Sequence, residues 1–274
     1  MKRTISFFFF IILAWTIAGC PNPGKVRKKM PRLFTSNFVM ETGAEPSFII
    51  VEDFNRDGEM DLVVTNSGDN TLSYFKGRGD GTFKDQIIMK TGEDPICVVT
   101  ADFNNNGYLD LAVLNYRDQT INIYFNSRFG NFRKTKIILK PGKIPINMES
   151  GDFNRDGISD LAITMRYHKV MILLGKGKGR FENPVAIPVK GQPTAIVLGD
   201  YDRNKVVDIA IAIAGSAKTG LQILWGVGDG IFEPSEVIKG GGQPLTLANI
   251  DVDNDGYGDL VTSSNVLHSM TLIR

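Results

Sequence analysis

The stretch Asp53-Phe54-Asn55-Arg56-Asp57-Gly58-Glu59-Met60-Asp61-Leu62 recurs, with small changes, four more times along this 274-residue chain. DFNNNGYLDL begins at Asp102, DFNRDGISDL at Asp152, DYDRNKVVDI at Asp200 and DVDNDGYGDL at Asp251, so successive copies start 49, 50, 48 and 51 residues apart. A period near 50 is characteristic of propellers and solenoids, in which each repeat is one supersecondary unit. In every copy the first, third, fifth and ninth residues are Asp or Asn, and four of the five have glycine at the sixth place. Glycine there permits a turn of positive φ.

Hard oxygen donors on alternate residues of a tight turn can converge on one point, which suits Ca²⁺, a cation that takes six to eight oxygens in a flexible shell. The carbonyl of the seventh residue and water complete such a shell. The candidate ligands are Asp53, Asn55, Asp57, Glu59 and Asp61 in the first loop and Asp102, Asn104, Asn106, Tyr108 and Asp110 in the second. Asp152, Asn154, Asp156, Ile158 and Asp160 form the third set, and Asp200, Asp202, Asn204, Val206 and Asp208 the fourth. Asp251, Asp253, Asp255, Tyr257 and Asp259 form the fifth, so the chain is expected to hold up to five Ca²⁺.

Zinc is disfavoured because no Cys or His lies in any loop. An EF-hand would need Glu at the twelfth place, where these loops have Val64, Val113, Ile163, Ile211 and Thr262. Short β-type runs such as Leu62-Val63-Val64-Thr65 follow the loops, so the loops join strands. The competing reading is that Asp, Asn and Gly are only turn formers. Turn chemistry alone does not call for the ninth-position Asp, and this favours the metal.

Ligand charge helps tune affinity. The loops at Asp53, Asp152 and Asp200 offer three carboxylates each, the one at Asp102 two, and the one at Asp251 four, so the last is expected to bind tightest. Lys205 replaces the turn glycine of the fourth loop. It must adopt a costly left-handed conformation or distort the loop, and it brings a cation near the ion, so this site is expected to be weak or empty.

A longer unit surrounds each loop. A G-x-x-P or G-x-P turn comes first, as at Gly43 to Pro46 and Gly191 to Pro193, followed by an apolar strand, the acidic loop and a second strand. A polar turn, a third strand and a glycine-rich turn ending in Phe83, Phe132, Phe181 or Phe232 then lead to a fourth strand. Four short strands per repeat make a propeller blade. Phe34 lies twelve residues before Pro46, as Phe83 does before Pro95, and the chain ends after a third strand at Met270 to Arg274. The expected fold is therefore all-β, a five-bladed β-propeller of four-stranded antiparallel blades, with the N-terminal strand closing the ring and removing the open edge.

The D-x-[DN]-x-[DN]-G-x-x-D-L loop alternating with G-x-G-D-G-x-F turns resembles the FG-GAP and VCBS repeats of integrin alpha-chain propellers and bacterial surface proteins. The resemblance implies that the matching Asp and Asn positions ligate Ca²⁺. It also implies that ligands are met on the face opposite the metal loops. Lys205 and the absence of a glycine-rich turn after Leu272 depart from the pattern.

Residues 1–19 read as a lipoprotein signal peptide: Lys2 and Arg3 precede an apolar segment from Ile5 to Ile17 that is too short for a stable transmembrane helix. Ile17-Ala18-Gly19-Cys20 resembles a bacterial lipobox, which makes Cys20 the lipidated first residue of the mature chain. Residues 20–31 form a polar tether whose Lys25, Arg27, Lys28 and Lys29 suit anionic headgroups or simply solvent. Residues 32–274 form the propeller. The expected location is the bacterial cell envelope, facing the periplasm or the exterior.

Cys97 is then the one remaining thiol, so no intrachain disulfide can form. The net charge of +1 becomes −1 once Lys2 and Arg3 are removed, which gives no case for nucleic acid.

Catalysis is not expected. His168 and His268 are the only histidines, no G-x-S-x-G is present, and Gly215 to Thr219 has Ala217 where a phosphate loop needs Gly. The function read from the sequence is a protein-interaction or adhesion module at the envelope. A glycan-binding propeller is the alternative, and a polysaccharide hydrolase or lyase a more distant one. The expected ligand face lies between second and third strands, at Asn66, Asp69, Tyr116, Arg117, Arg166, Tyr167, His168 and His268. Tyr116 and Tyr167 have no aromatic counterpart in the other loops between second and third strands, which favours a protein partner over glycan pockets repeated in every blade.

Overall fold

A computed structural model describes residues 39–139, 144–215, 219–240, 242–264 and 266–274. The signal peptide, Cys20, the tether and Leu33 to Phe38 lie outside the described residues. The first blade is β1 (Pro46–Glu52), β2 (Asp61–Asn66), β3 (Thr71–Phe75) and β4 (Ile87–Lys90). The second is β5 (Pro95–Ala101), β6 (Asp110–Asn115), β7 (Thr120–Asn126) and β8 (Phe132–Leu139), and the third β9 (Pro145–Gly151), β10 (Asp160–Met165), β11 (Lys169–Leu173) and β12 (Val185–Pro188). The fourth is β13 (Gln192–Gly199), β14 (Asp208–Ala214), β15 (Gly220–Gly228) and β16 (Ile231–Pro234), and the fifth β17 (Pro244–Ile250), β18 (Asp259–Ser264) and β19 (Ser269–Ile273). Within each sheet the strands pair antiparallel in chain order, and no helix occurs among the described residues. The chain is an all-β, five-bladed β-propeller.

The strand sequences explain the layering. The second strands β6 and β10 are buried at every position, because sheets covered on both faces have no solvent side. The outer strands β4 and β12 carry mostly exposed residues. The first strands start at the proline of the G-x-P turn, or in β13 one residue before it, and the register shifts there, as between Pro46 and Phe48 and between Pro95 and Cys97. Proline has no N–H for the ladder, so a shift at the strand end is where it fits.

Consecutive blades are joined by aromatic plugs. In the first three loops the second residue is buried and meets the Phe that ends the next blade's glycine-rich turn. Ring centroids are 5.3 Å apart for Phe54 and Phe132, 5.9 Å for Phe103 and Phe181, and 5.6 Å for Phe153 and Phe232. Backbone bonds lock the same contacts: Gly179 N donates to Phe103 O at 2.8 Å and Gly230 N to Phe153 O at 3.2 Å.

Among the described residues no N-terminal strand closes the ring, and Leu33 to Phe38, the segment expected to lead into it, lies outside them. The fifth blade has three strands, residues 39–42 carry no strand, and Val39 is 88% exposed. The first strands β1, β5, β9, β13 and β17 pack each on the next, whereas β17 and β1 are not packed in this way. The physical correlate is at the plug: Val252 takes the place of Phe54 and stays 44% exposed, and β19 leaves Met270 and Leu272 uncovered.

One inner strand carries a charge that its counterparts lack. Glu149 on β9 faces Ala162 across the ladder, where the other blades place Ile50, Val99, Val197 and Ala248. Although its surface is not wholly lost to solvent, surrounding protein desolvates the carboxyl and pushes its pKa up to about 7. A carboxyl raised in this way adds stability below its unfolded pKa, and that contribution is lost as pH rises through the folded value. Glu149→Gln should therefore gain on the wild type by about 2 kcal/mol between pH 5 and pH 8 in urea unfolding. An unchanged difference across that range would show that Glu149 is not buried in this sense.

Candidate metal centres

The acidic loops are built on ladders of side-chain-to-backbone hydrogen bonds. The first Asp accepts from the N–H groups of the fifth and sixth residues in all five loops. In the first loop Asp57 N donates to Asp53 Oδ1 at 3.1 Å and Gly58 N to Asp53 Oδ2 at 2.9 Å. Asp102, Asp152, Asp200 and Asp251 repeat the pattern. The fifth residue accepts from the seventh N–H in each loop, at Asp57, Asn106, Asp156, Asn204 and Asp255. This is the turn chemistry natural to Asp and Asn.

The ninth-position Asp has a structural task of its own. Asp110 is fully buried and accepts from Phe103 N at 3.0 Å, Asn104 Nδ2 at 2.9 Å and Asn126 N at 2.8 Å. Asp160 accepts from Phe153 N and Gly175 N, and Asp208 from Tyr201 N and Gly226 N. Asp61 takes the Tyr74 hydroxyl and Gly77 N, each at 2.8 Å, and Asp259 takes Val252 N. The ninth Asp thus ties the plug residue or the end of the third strand to the loop. Its recurrence follows from the blade itself and does not by itself call for a metal.

Two observations fit a cation all the same. Carboxylate oxygens of Asp200, Asp202 and Asp208 lie within 4.8 Å of one another, as do those of Asp251, Asp253 and Asp259. A carboxylate has about four lone-pair sites, so an oxygen that accepts one N–H can still face an ion. Their hydrogen bonds do not fully offset the burial of the ninth carboxylates. Burial, with the Asp102 charge adding to it, pushes Asp110 up to about 7. Burial, with Asp156 and Asp152, pushes Asp160 up to about 6. Asp61 and Asp208 are raised for the same reasons. An oxygen-rich, all-hard donor set crowded with negative charge suits Ca²⁺.

Lys205 resolves the choice posed by its sequence. It takes the left-handed conformation, φ 66°, and its N–H reaches Asp200 Oδ2 at 2.9 Å as glycine does in the other loops. The fourth loop keeps its geometry at a backbone cost of about 1 kcal/mol.

At the opposite end of the blades Arg117, Arg166, Tyr167, His168 and His268 are exposed, and Tyr116 and Tyr167 occupy equivalent turns of neighbouring blades. Asp69 accepts from Ala44 N at 2.6 Å and pins the G-x-P turn. Asn66 is a correction to the expected face. It is fully buried and donates to Thr71 Oγ1 and Ser73 Oγ, so it anchors the turn from inside.

The sequence reading missed the plugs Phe54, Phe103 and Phe153. Their signal was present in the Phe that follows the first Asp in three of the five loops.

Five repeats of this kind, each ending in an oxygen-rich loop on the same side, define a repeat β-propeller with candidate cation sites. The FG-GAP-like repeat family matches residues 53–113, 102–163 and 152–211, more than half of the sequence, and the chain belongs to that family. No curated protein matches it in sequence. Similar solved structures include the crystal structure of BBS1N in complex with ARL6DN soaked with mercury, at 13% identity over 80% of this chain and 76% of that one, TM-score 0.48. The lead-soaked crystal of the same complex aligns at 14% identity over 80% of this chain and 77% of that one, TM-score 0.44.

Proposed function

We propose that this chain is a calcium-stabilised interaction propeller of the bacterial envelope, anchored through a lipid on Cys20. The FG-GAP-like propeller fold suggests a protein-interaction module, and the supporting observation for the metal is the convergence of three carboxylates in each of the loops at Asp200 and Asp251. Calcium neutralises the crowded loops and sets the blades, while Tyr116, Arg117, Arg166 and Tyr167 offer a partner-binding surface at the other end. Aromatic and Arg side chains of this kind are the anchors of protein interfaces.

Calorimetric titration of calcium-free protein should find three to five Ca²⁺ per chain, and no uptake would overturn the metal reading. The anchor is tested by metabolic fatty-acid labelling, which Cys20→Ala must abolish. Labelling that persists in that variant would sink the lipobox assignment.

A further inference from the structure

The fourth residue of each acidic loop stands outside the hydrogen-bond ladder. It is left-handed in every copy, with φ 57° at Arg56, 60° at Asn105, 63° at Arg155, 66° at Arg203 and 61° at Asn254. In two loops its side chain crosses to the neighbouring blade. Arg56 donates through Nη2 to the Gly107 carbonyl, and its guanidinium carbon lies 4.7 Å from the centroid of the Tyr108 ring. Arg203 places its guanidinium carbon 3.2 Å from the centroid of the Tyr257 ring. Tyr108 and Tyr257 are the seventh residues of their loops, the position whose carbonyl is a candidate ligand. The third loop also has an arginine, Arg155, but the loop after it has Val206 at the seventh place. No ring contact of Arg155 occurs among the described residues.

We propose that Arg56 and Arg203 couple neighbouring calcium loops, so that an ion in the first loop strengthens binding in the second and an ion in the fourth strengthens binding in the fifth. This rests on the calcium reading. An ion drawing Asp53, Asn55 and Asp57 together fixes the backbone on both sides of Arg56. The anchored guanidinium then holds Gly107 and Tyr108, so the second loop has less order left to impose when its own ion arrives. Arginine suits this role because its planar fork bonds a carbonyl while its face lies on an aromatic ring. The second loop has the most to gain, having only Asp102 and Asp110 as carboxylates at its four side-chain ligand positions. Coupling is reciprocal, so each member of a pair strengthens the other, and the third loop acts alone. A guanidinium that merely repelled the ion would give the opposite sign, with Arg56→Ala tightening the second site.

Terbium, a luminescent stand-in for calcium, provides the test on the full chain. Tyrosine beside a bound Tb³⁺ sensitises its emission, and only the second and fifth loops have tyrosine at the seventh place. The emission lost in Tyr108→Phe defines the second site. Asp57→Ala in the first loop should raise the Tb³⁺ concentration that half-fills this site about fivefold. In an Arg56→Ala background the same Asp57→Ala change should have no further effect. Asp202→Ala and Arg203→Ala, read through the Tyr257-dependent emission, supply a second, independent cycle. Half-filling that ignores Asp57→Ala, a shift that survives Arg56→Ala, or tighter binding in Arg56→Ala would overturn the coupling while leaving the calcium sites in place. Absence of any Tb³⁺ or Ca²⁺ uptake would overturn the calcium reading and the coupling with it.

Discussion

Asp110→Ala should destabilise the calcium-free protein by about 3 kcal/mol, whereas Asp102→Ala in the same loop should cost about 1 kcal/mol. Both residues are candidate calcium ligands, so only their structural roles distinguish them once calcium is chelated. Asp102 is not buried, and the two N–H groups it caps, those of Asn106 and Gly107, belong to exposed residues that can turn to water. Asp110 is fully buried and accepts from Phe103 N and Asn126 N; Asn126 N would be stranded without it, whereas Phe103 N keeps a second acceptor in the Ala101 carbonyl at 3.1 Å. Each buried donor left unpaired costs about 1–3 kcal/mol. Relief of the strained carboxylate, which burial pushes up to about 7, offsets part of that loss. Asp110→Asn should fall between the two, since its amide oxygen keeps one acceptor while its Nδ2 faces another donor. In urea unfolding with chelator, equal losses from Asp110→Ala and Asp102→Ala would overturn the latch account.

How much of this was legible in the sequence depends on whether a feature is repeated. The blade count, the strand order and the acidic loops recur every 48 to 51 residues, and repetition separates them from chance. The structural task of the ninth Asp was not legible, because a carboxylate that latches Asn126 N and one that would ligate an ion have the same letter. Asn66 reads as a surface turn residue, yet the hydroxyls of Thr71 and Ser73 draw it inside. The plugs escaped notice because their partners lie in the next blade: Phe54 meets Phe132, far along the chain. The seam between the fifth and first blades was the hardest to read. Val252 and β19 depart from the other four repeats, but each departure occurs once, so repetition does not separate it from chance.

Calcium is expected to raise the melting temperature by about 20 °C relative to chelator. Ligand that binds only the folded state contributes about 2.7 kcal/mol per site at a hundredfold excess over its dissociation constant. Three such sites sum to about 8 kcal/mol, and each kcal/mol shifts a domain of this size by about 2–4 °C. The unfolded chain cannot compete, because its Asp and Asn residues are brought together only by the ladders that the loops form. The gain should come mostly through the ninth-position carboxylates, since Asp61, Asp110, Asp160 and Asp208 are raised by burial and by like charge that a divalent ion would neutralise. Magnesium should substitute poorly, since it demands a compact octahedral shell and gives up water reluctantly, whereas a loop fixed by its own hydrogen bonds suits a larger, more tolerant ion. Identical melts in calcium and chelator would leave the hydrogen-bonded ladders as the whole purpose of the acidic loops. A rise that magnesium reproduces in full would mean that the loops answer to charge alone.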